Sequence, residues 1–149
     1  SAASDVYKRQ DKNILFIAFG GEEAGLIGSH YFVNHPTFPL RKIDFVLNID
    51  IMGSGDEGIT AVNSVEQELA FNLLNNINSE KKLVSQIKKR GQTRNSDHYW
   101  FSEKGIPAIF IYTRGSNKNY HDINDLYENL VFDEVEDLKE LFTSFIRLY

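Results

Sequence analysis

The sequence predicts an α/β domain built on a mostly parallel mixed sheet with helices on both faces. Short continuous apolar runs have the pattern of strands buried on both faces, and amphipathic helical patterns alternate with them along the chain. The chain has 149 residues, of which 42% are hydrophobic and 25% charged. Those values are typical of one globular domain.

Three apolar runs are the predicted buried strands: 14–19 (ILFIAF), 43–50 (IDFVLNID) and 108–112 (AIFIY). Each run is short enough to be a strand and too short for an ordinary helix. A fourth strand is expected at Ile59–Val62, and residues 83–87 fit either a strand or a loop.

Four helices are expected between and after the strands. Residues 23–34 have helical spacing, although Gly25 and Gly28 inside them each cost about 1 kcal/mol relative to alanine. Side-chain caps are expected to begin the other three. The capping residues are Ser64 with Gln67, Ser96 for a short helix ending near Lys104, and Asp133 with Glu136. The apolar faces are Ala70, Leu73, Leu74 and Ile77 in one long helix, and Val135, Leu138, Leu141, Phe142, Phe145 and Leu148 in the last.

Composition argues against several classes of function. The formal net charge is −5, and no basic stripe is available to neutralise the phosphates of a nucleic acid. Without cysteine there is no disulfide and no thiolate metal site. No apolar run has the length of a membrane span. The opening residues 1–10 (SAASDVYKRQ) show no periodicity, and we expect them to be a non-native leader.

Acidic and imidazole groups follow each of the three predicted buried strands. Glu22 and Glu23 come after the first, Asp50 ends the second, and the loop after the third carries His121. In open α/β sheets, ligands bind beyond the carboxyl ends of the strands. Each group has an ordinary alternative: charges at a helix N-terminus, a turn aspartate or a surface histidine. A shared site explains all of them at once.

Carboxylates and imidazole together are typical zinc ligands. A neighbouring glutamate that does not bind the metal can act as a general base. Two adjacent glutamates suit this division, because their side chains diverge. Asp125, four residues after His121, is expected to orient the imidazole by a hydrogen bond.

Four segments resemble, in order and spacing, the co-catalytic zinc exopeptidases of the bacterial leucyl-aminopeptidase type, peptidase family M28. They are FGGEEAGLIGSHYF, NIDIMG, SDHYWFSEKGIPAIFIY and YHDINDLYENL, and the resemblance covers residues 13–149. It implies a three-layer, phosphorylase/hydrolase-like fold, a peptide substrate, two zinc ions in the complete domain, and a secreted, periplasmic or cell-surface location. The activity it implies is that of a zinc-dependent exopeptidase, foremost an aminopeptidase that releases N-terminal residues by attack of a metal-activated water. The wider family also includes glutamate carboxypeptidases and glutaminyl cyclases, so glutaminyl cyclisation is an alternative, as is a non-catalytic binding ectodomain.

The resemblance also implies roles for individual residues. Glu22 matches the general acid/base that activates the attacking water. Glu23 matches a ligand of one zinc, Asp50 a ligand of the other, and His121 the last imidazole ligand. Tyr120 matches a residue that stabilises the developing oxyanion. The residues Ser96, Asp97 and His98 match a motif of unassigned role, where His98 is either a surface group or a substrate contact.

One family feature is missing before Glu22. The family pattern starts with a His-x-Asp pair whose aspartate bridges the two metals, and no such pair precedes Glu22 here. Three ligands are too few for two stable zinc sites. We therefore expect residues 11–149 to be the C-terminal part of a catalytic domain that lacks its first strands and is catalytically poor alone. Trp100 and Phe101 are candidates for a substrate pocket, or for the core, which aromatic residues favour.

Overall fold

The structure is a computed structural model that describes residues 13–149. The expected leader, residues 1–10, lies outside the described residues. Four strands form one sheet in the order β1-β4-β2-β3. They are β1 (Val46–Ile49), β2 (Ile59–Val62), β3 (Ile87–Lys89) and β4 (Ala108–Thr113). The pairs β1–β4 and β2–β3 are parallel, whereas β2–β4 is antiparallel.

Helices cover both faces of this sheet, which confirms the predicted α/β class. They are α1 (Ile27–Asn34), α2 (Glu68–Lys81), α3 (His98–Glu103) and α4 (Val135–Leu148). Single 3₁₀ turns lie at Leu40–Lys42 and Tyr127–Asn129. No helix among residues 13–149 is long and apolar enough to cross a bilayer.

Alternation along β2 and β4 sends side chains into two separate cores. On one face, Ile59, Ala61, Ile109 and Ile111 pack with the apolar sides of α2 and α4. On the other face, Ala108 packs with Val33 of α1 and Phe101 of α3. The largest core contains the predicted faces of α2 and α4, although Val135 and Leu148 at the two ends of α4 are exposed.

Residues 13–19 do not form the predicted first strand. They have no regular secondary structure, and Phe16 is 85% exposed. Of this run, Phe19 packs inward, with its ring centroid 5.9 Å from that of Phe32 and 6.0 Å from that of Phe101. A strand is stabilised by backbone hydrogen bonds to a neighbour, and no described strand pairs with this segment. An apolar run was therefore not enough to predict a strand here.

The predicted side-chain caps are also wrong. The helix α2 begins at Glu68 without a side-chain cap, because Ser64 donates its hydroxyl to the carbonyl of Ala61 (2.6 Å) instead. Ser96 likewise directs its hydroxyl to Asp50 rather than to α3. Neither α3 nor α4 has a side-chain cap. These hydroxyls bind partners that only the folded sheet supplies.

Candidate metal centre

A tight turn before α1 carries Glu22 and Glu23. The amide of Gly28 donates to the carbonyl of Gly20 (2.9 Å), and Gly21 has a positive φ of 69°. A Cβ on Gly28 would lie 2.6 Å from the Gly20 oxygen, so only glycine permits this approach. Gly28 lies within α1 (Ile27–Asn34), as predicted.

Gly25 does not lie in the helix. Its φ of 109° places it in the turn, followed by Leu26 with φ 61°. The helix consequently starts at Ile27 rather than at residue 23. Residues 22–26 form a hydrogen-bonded turn instead of a helical first turn, because the carbonyl of Glu22 accepts the amides of Gly25 (3.0 Å) and Leu26 (2.8 Å). The turn brings the Glu22 carboxylate near Asp50, at the edge of the sheet where β1 ends.

Glu23 and His121 are in direct contact. The imidazole Nε2 of His121 lies 2.9 Å from the Oε1 of Glu23, although 98 residues separate them. His121 has a left-handed backbone, with φ 60°. Its backbone N–H donates to a carboxylate oxygen of Asp125 at 3.3 Å. The prediction that Asp125 orients the imidazole is therefore wrong: Asp125 holds the backbone, and Glu23 contacts the ring.

Glu22 lies among other acidic groups at the same edge. Partial burial raises the pKa of Glu22, and the nearby carboxylates of Asp50, Glu23 and Asp97 raise it further. His121 opposes this rise. The structure therefore brings the residues predicted from the strand ends into one electrostatic neighbourhood. A carboxylate with a raised pKa is suited to proton transfer near neutral pH.

Asp50 follows β1 directly and is held through both carboxylate oxygens. Its Oδ1 accepts the backbone N–H of Ile51 (2.8 Å), and its Oδ2 accepts the hydroxyl of Ser96 (3.3 Å). The side-chain amide of Asn48 donates to Ser96 in turn (2.7 Å). The Ile51 amide and the Ser96 hydroxyl, itself held by Asn48 of β1, thus restrict the orientation of Asp50.

Asp97 is a buried acidic residue that the sequence marked only as part of a motif. Its carboxylate accepts a short hydrogen bond from the hydroxyl of Ser29, which is fully buried in α1. Burial raises the pKa of Asp97, the Ser29 hydrogen bond opposes that rise, and Asp50 adds to it. The contact joins α1 to the residue that directly precedes α3.

The donor atoms at this edge suit zinc in kind, because carboxylate oxygen and imidazole nitrogen are common zinc ligands. Glu23 and His121 are close enough to share one ion. Among the described residues, however, no three His, Cys, Asp or Glu side chains converge as a metal-holding group. The Asp50 carboxylate therefore does not converge with Glu23 and His121 on one ion position.

The sequence profile of peptidase family M28 matches residues 2–146, which is nearly the whole chain. The chain belongs to peptidase family M28. Aminopeptidase YwaD of Bacillus subtilis is 30% identical over 142 residues, which cover 90% of this chain and 31% of that protein. The chain thus spans about a third of that relative's length.

Two solved structures show the same fold. A zinc aminopeptidase from Bacillus subtilis matches with a TM-score of 0.71 and 23% identity, over 87% of this chain and 34% of that one. Glutaminyl cyclase from Porphyromonas gingivalis matches with a TM-score of 0.71 and 14% identity, over 94% of this chain and 56% of that one. Both α/β structures agree with the predicted M28 architecture.

In this M28 chain, His98 has neither of the roles considered from the sequence. It is 0% exposed, its ring lies 5.5 Å from that of Phe110, and neither ring nitrogen has a hydrogen-bond partner in the described structure. Burial lowers its pKa from 6.5 to about 4, and the nearby Ser96 backbone opposes part of this shift. A buried neutral imidazole neither contacts solvent nor reaches a substrate.

The aromatic candidates divide between core and site. Phe101 is buried in the core beside α1, and Trp100 packs against His30 with ring centroids 4.3 Å apart. Tyr120 is exposed, and its ring stacks on that of His121 at 4.0 Å. Partial burial raises the pKa of Tyr120, with the Glu23 carboxylate as the next contributor. Its hydroxyl is therefore kept protonated and able to donate a hydrogen bond.

Proposed function

We propose that the protein is a zinc-dependent aminopeptidase that releases N-terminal residues from peptides. The observation that carries the proposal is the Glu23–His121 contact beside Glu22 and Asp50. Membership of family M28 and the similarity to Aminopeptidase YwaD support it. An acidic cluster without imidazole would not favour zinc in this way.

In this proposal each residue of the site has a separate role. Glu23 and His121 hold one zinc, and Asp50 belongs to the second. When bound, zinc supplies Lewis acidity that polarises the scissile carbonyl and lowers the pKa of water. Glu22 takes the proton from the attacking water and returns it to the leaving amine. Tyr120 donates a hydrogen bond to the oxyanion that develops on the carbonyl.

The count of ligands supports a partial domain. Glu23, Asp50 and His121 supply three protein ligands, and two catalytic zinc ions need more, since each such site ordinarily has about three. We therefore propose that residues 11–149 form part of the catalytic domain, and that these residues alone have little activity. The remaining ligands would come from another part of the protein.

Glutaminyl cyclisation is the second candidate. The match to the Porphyromonas gingivalis glutaminyl cyclase covers more of this chain than the match to the Bacillus subtilis aminopeptidase. Its identity of 14% bears on the fold alone. Because one fold can serve either chemistry, the choice rests on substrate tests.

A location outside the cytoplasm is part of the proposal. It rests on the resemblance to secreted exopeptidases. Fractionation of the producing cells tests it: the protein should be recovered from the medium, the periplasm or the cell surface. Recovery from the cytoplasm alone would contradict it.

The deciding assay uses protein expressed from its whole coding sequence. It should hydrolyse a leucyl arylamide, lose that activity with a chelator, and regain it with zinc. A glutaminyl peptide offered in parallel should be converted far more slowly. Preferred cyclisation of that peptide would favour the second candidate. Protein that binds no zinc and converts neither substrate would leave a binding ectodomain as the better interpretation.

A further inference from the structure

Ile51, directly after Asp50, has a strained backbone. Its φ of 55° lies in the left-handed region, where a β-branched residue is a genuine outlier. Such conformations persist only where the surroundings enforce them. The Ile51 side chain is 38% exposed, so side-chain packing is a weak constraint on it.

Hydrogen bonds from Thr113 hold Ile51 in place. The carbonyl oxygen of Ile51 accepts both the backbone N–H of Thr113 (3.1 Å) and its side-chain hydroxyl (2.8 Å). Thr113 is the last residue of β4 and is 7% exposed. Just before it in the ladder, the amide of Asp50 donates to the carbonyl of Ile111 at 3.2 Å. The pairing of β1 with β4 thus continues past the end of β1.

On the other side of its strained backbone, Ile51 contacts Asp50 through its N–H group. That N–H donates to Oδ1 of Asp50 at 2.8 Å, so Thr113 and the carboxylate are linked through a single residue. A strand position needs no hydroxyl, since valine fits a β-strand equally well. In the described structure, the only hydrogen bond of the Thr113 hydroxyl is the one to Ile51.

We propose that Thr113 is a positioning residue for Asp50: its hydroxyl fixes the Ile51 turn and thereby aims the Asp50 carboxylate at the proposed metal. This inference rests on the proposed function, because it concerns how tightly Asp50 binds zinc. It identifies a determinant of metal affinity that contacts neither the metal nor the substrate.

The test measures zinc affinity by competition with a chromophoric chelator, on metal-free protein from the whole coding sequence. Thr113→Val should weaken one of two zinc ions about tenfold, in line with other outer-shell changes. Thr113→Ser keeps the hydroxyl and should bind zinc as the unaltered protein does. Thr60→Val makes the same change at a buried position of β2 and should also bind normally.

An Ile51→Gly variant separates positioning from general damage. Glycine adopts a positive φ without strain, so Ile51→Gly should keep its zinc affinity. In the double variant, Thr113→Val should then lower the zinc affinity less than Thr113→Val does alone. Because Ile51→Gly leaves Thr113 intact, it remains informative if Thr113→Val does not fold. A loss of affinity in Ile51→Gly equal to the loss expected for Thr113→Val would overturn the inference.

Other outcomes are equally decisive. Unchanged zinc affinity in folded Thr113→Val, or an equal loss in Thr60→Val, overturns the positioning role while the proposed function stands. Unaltered protein that binds no zinc overturns both. Thermal unfolding of each variant identifies the folded samples.

Discussion

Replacing His98 with glutamine is predicted to remove a pH-dependent loss of stability. His98 is 0% exposed and lies against Phe110, without a hydrogen-bond partner for either ring nitrogen among the described residues. Protonation would place an uncompensated charge in the core, and burial accordingly lowers the pKa of His98 from 6.5 to about 4. Glutamine is polar and of similar length but does not titrate.

The sign and size of the effect follow from the two pKa values. Between 6.5 and about 4 the unfolded chain binds a proton at His98 and the folded protein does not. The free energy of unfolding therefore falls as the pH falls through this range. The full difference corresponds to about 3 kcal/mol, at about 1.4 kcal/mol per pKa unit. At about pH 5.5 the loss should be about 1.4 kcal/mol.

Urea unfolding followed by tryptophan fluorescence measures this loss, since Trp100 is the single tryptophan of the chain. The free energy of unfolding is compared at about pH 7.5 and about pH 5.5, where the stated loss is expected. The His98→Gln variant should show a drop smaller by that amount. His35→Gln, at an exposed position, is the matched control. Equal drops in the unaltered protein and His98→Gln would refute the argument from burial.

Two further predictions concern the turn that carries Glu22. Gly28→Ala should destabilise the protein by about 1–3 kcal/mol in urea unfolding, because the new Cβ would meet the Gly20 backbone. This loss is expected despite the better helix propensity of alanine. Gly20→Ala is the control and should be nearly neutral, because the space around its Cβ is open. Asp97→Asn removes one charge that raises the pKa of Glu22, so the acidic limb of kcat/KM should move to lower pH; a move to higher pH would contradict this electrostatic account.

Much of the fold was predictable because its signals are local. The apolar run at 108–112 became β4 (Ala108–Thr113), and the periodic pattern after Gln67 became α2 with Leu74 and Ile77 buried. The run at 14–19 was equally apolar but has no paired strand among the described residues. A strand depends on a distant partner, and no local pattern reports whether that partner is present.

The site divides in the same way. Acidic groups at strand ends predicted a cluster containing Glu22, and parallel pairing of β1 with β4 brings Asp50 to the edge from which the His121 loop leaves. The bond from Ser29 to Asp97 spans 68 residues, and the bond from Thr113 to Ile51 spans 62. Both are made by hydroxyl groups, and no local sequence pattern around Ser29 or Thr113 predicts either bond. Only packing of the helices and strands reveals them.

The roles of Glu22 and its neighbours are tested most directly by one paired measurement on Glu22→Gln. Zinc content and leucyl-arylamide turnover are determined on the same sample, with protein from the whole coding sequence. Because Glu22 is proposed to move a proton and Glu23 with His121 to hold zinc, the variant should keep its zinc and lose at least about a hundredfold in kcat. Retained turnover, or loss of the zinc itself, would contradict this division between proton carrier and metal ligands.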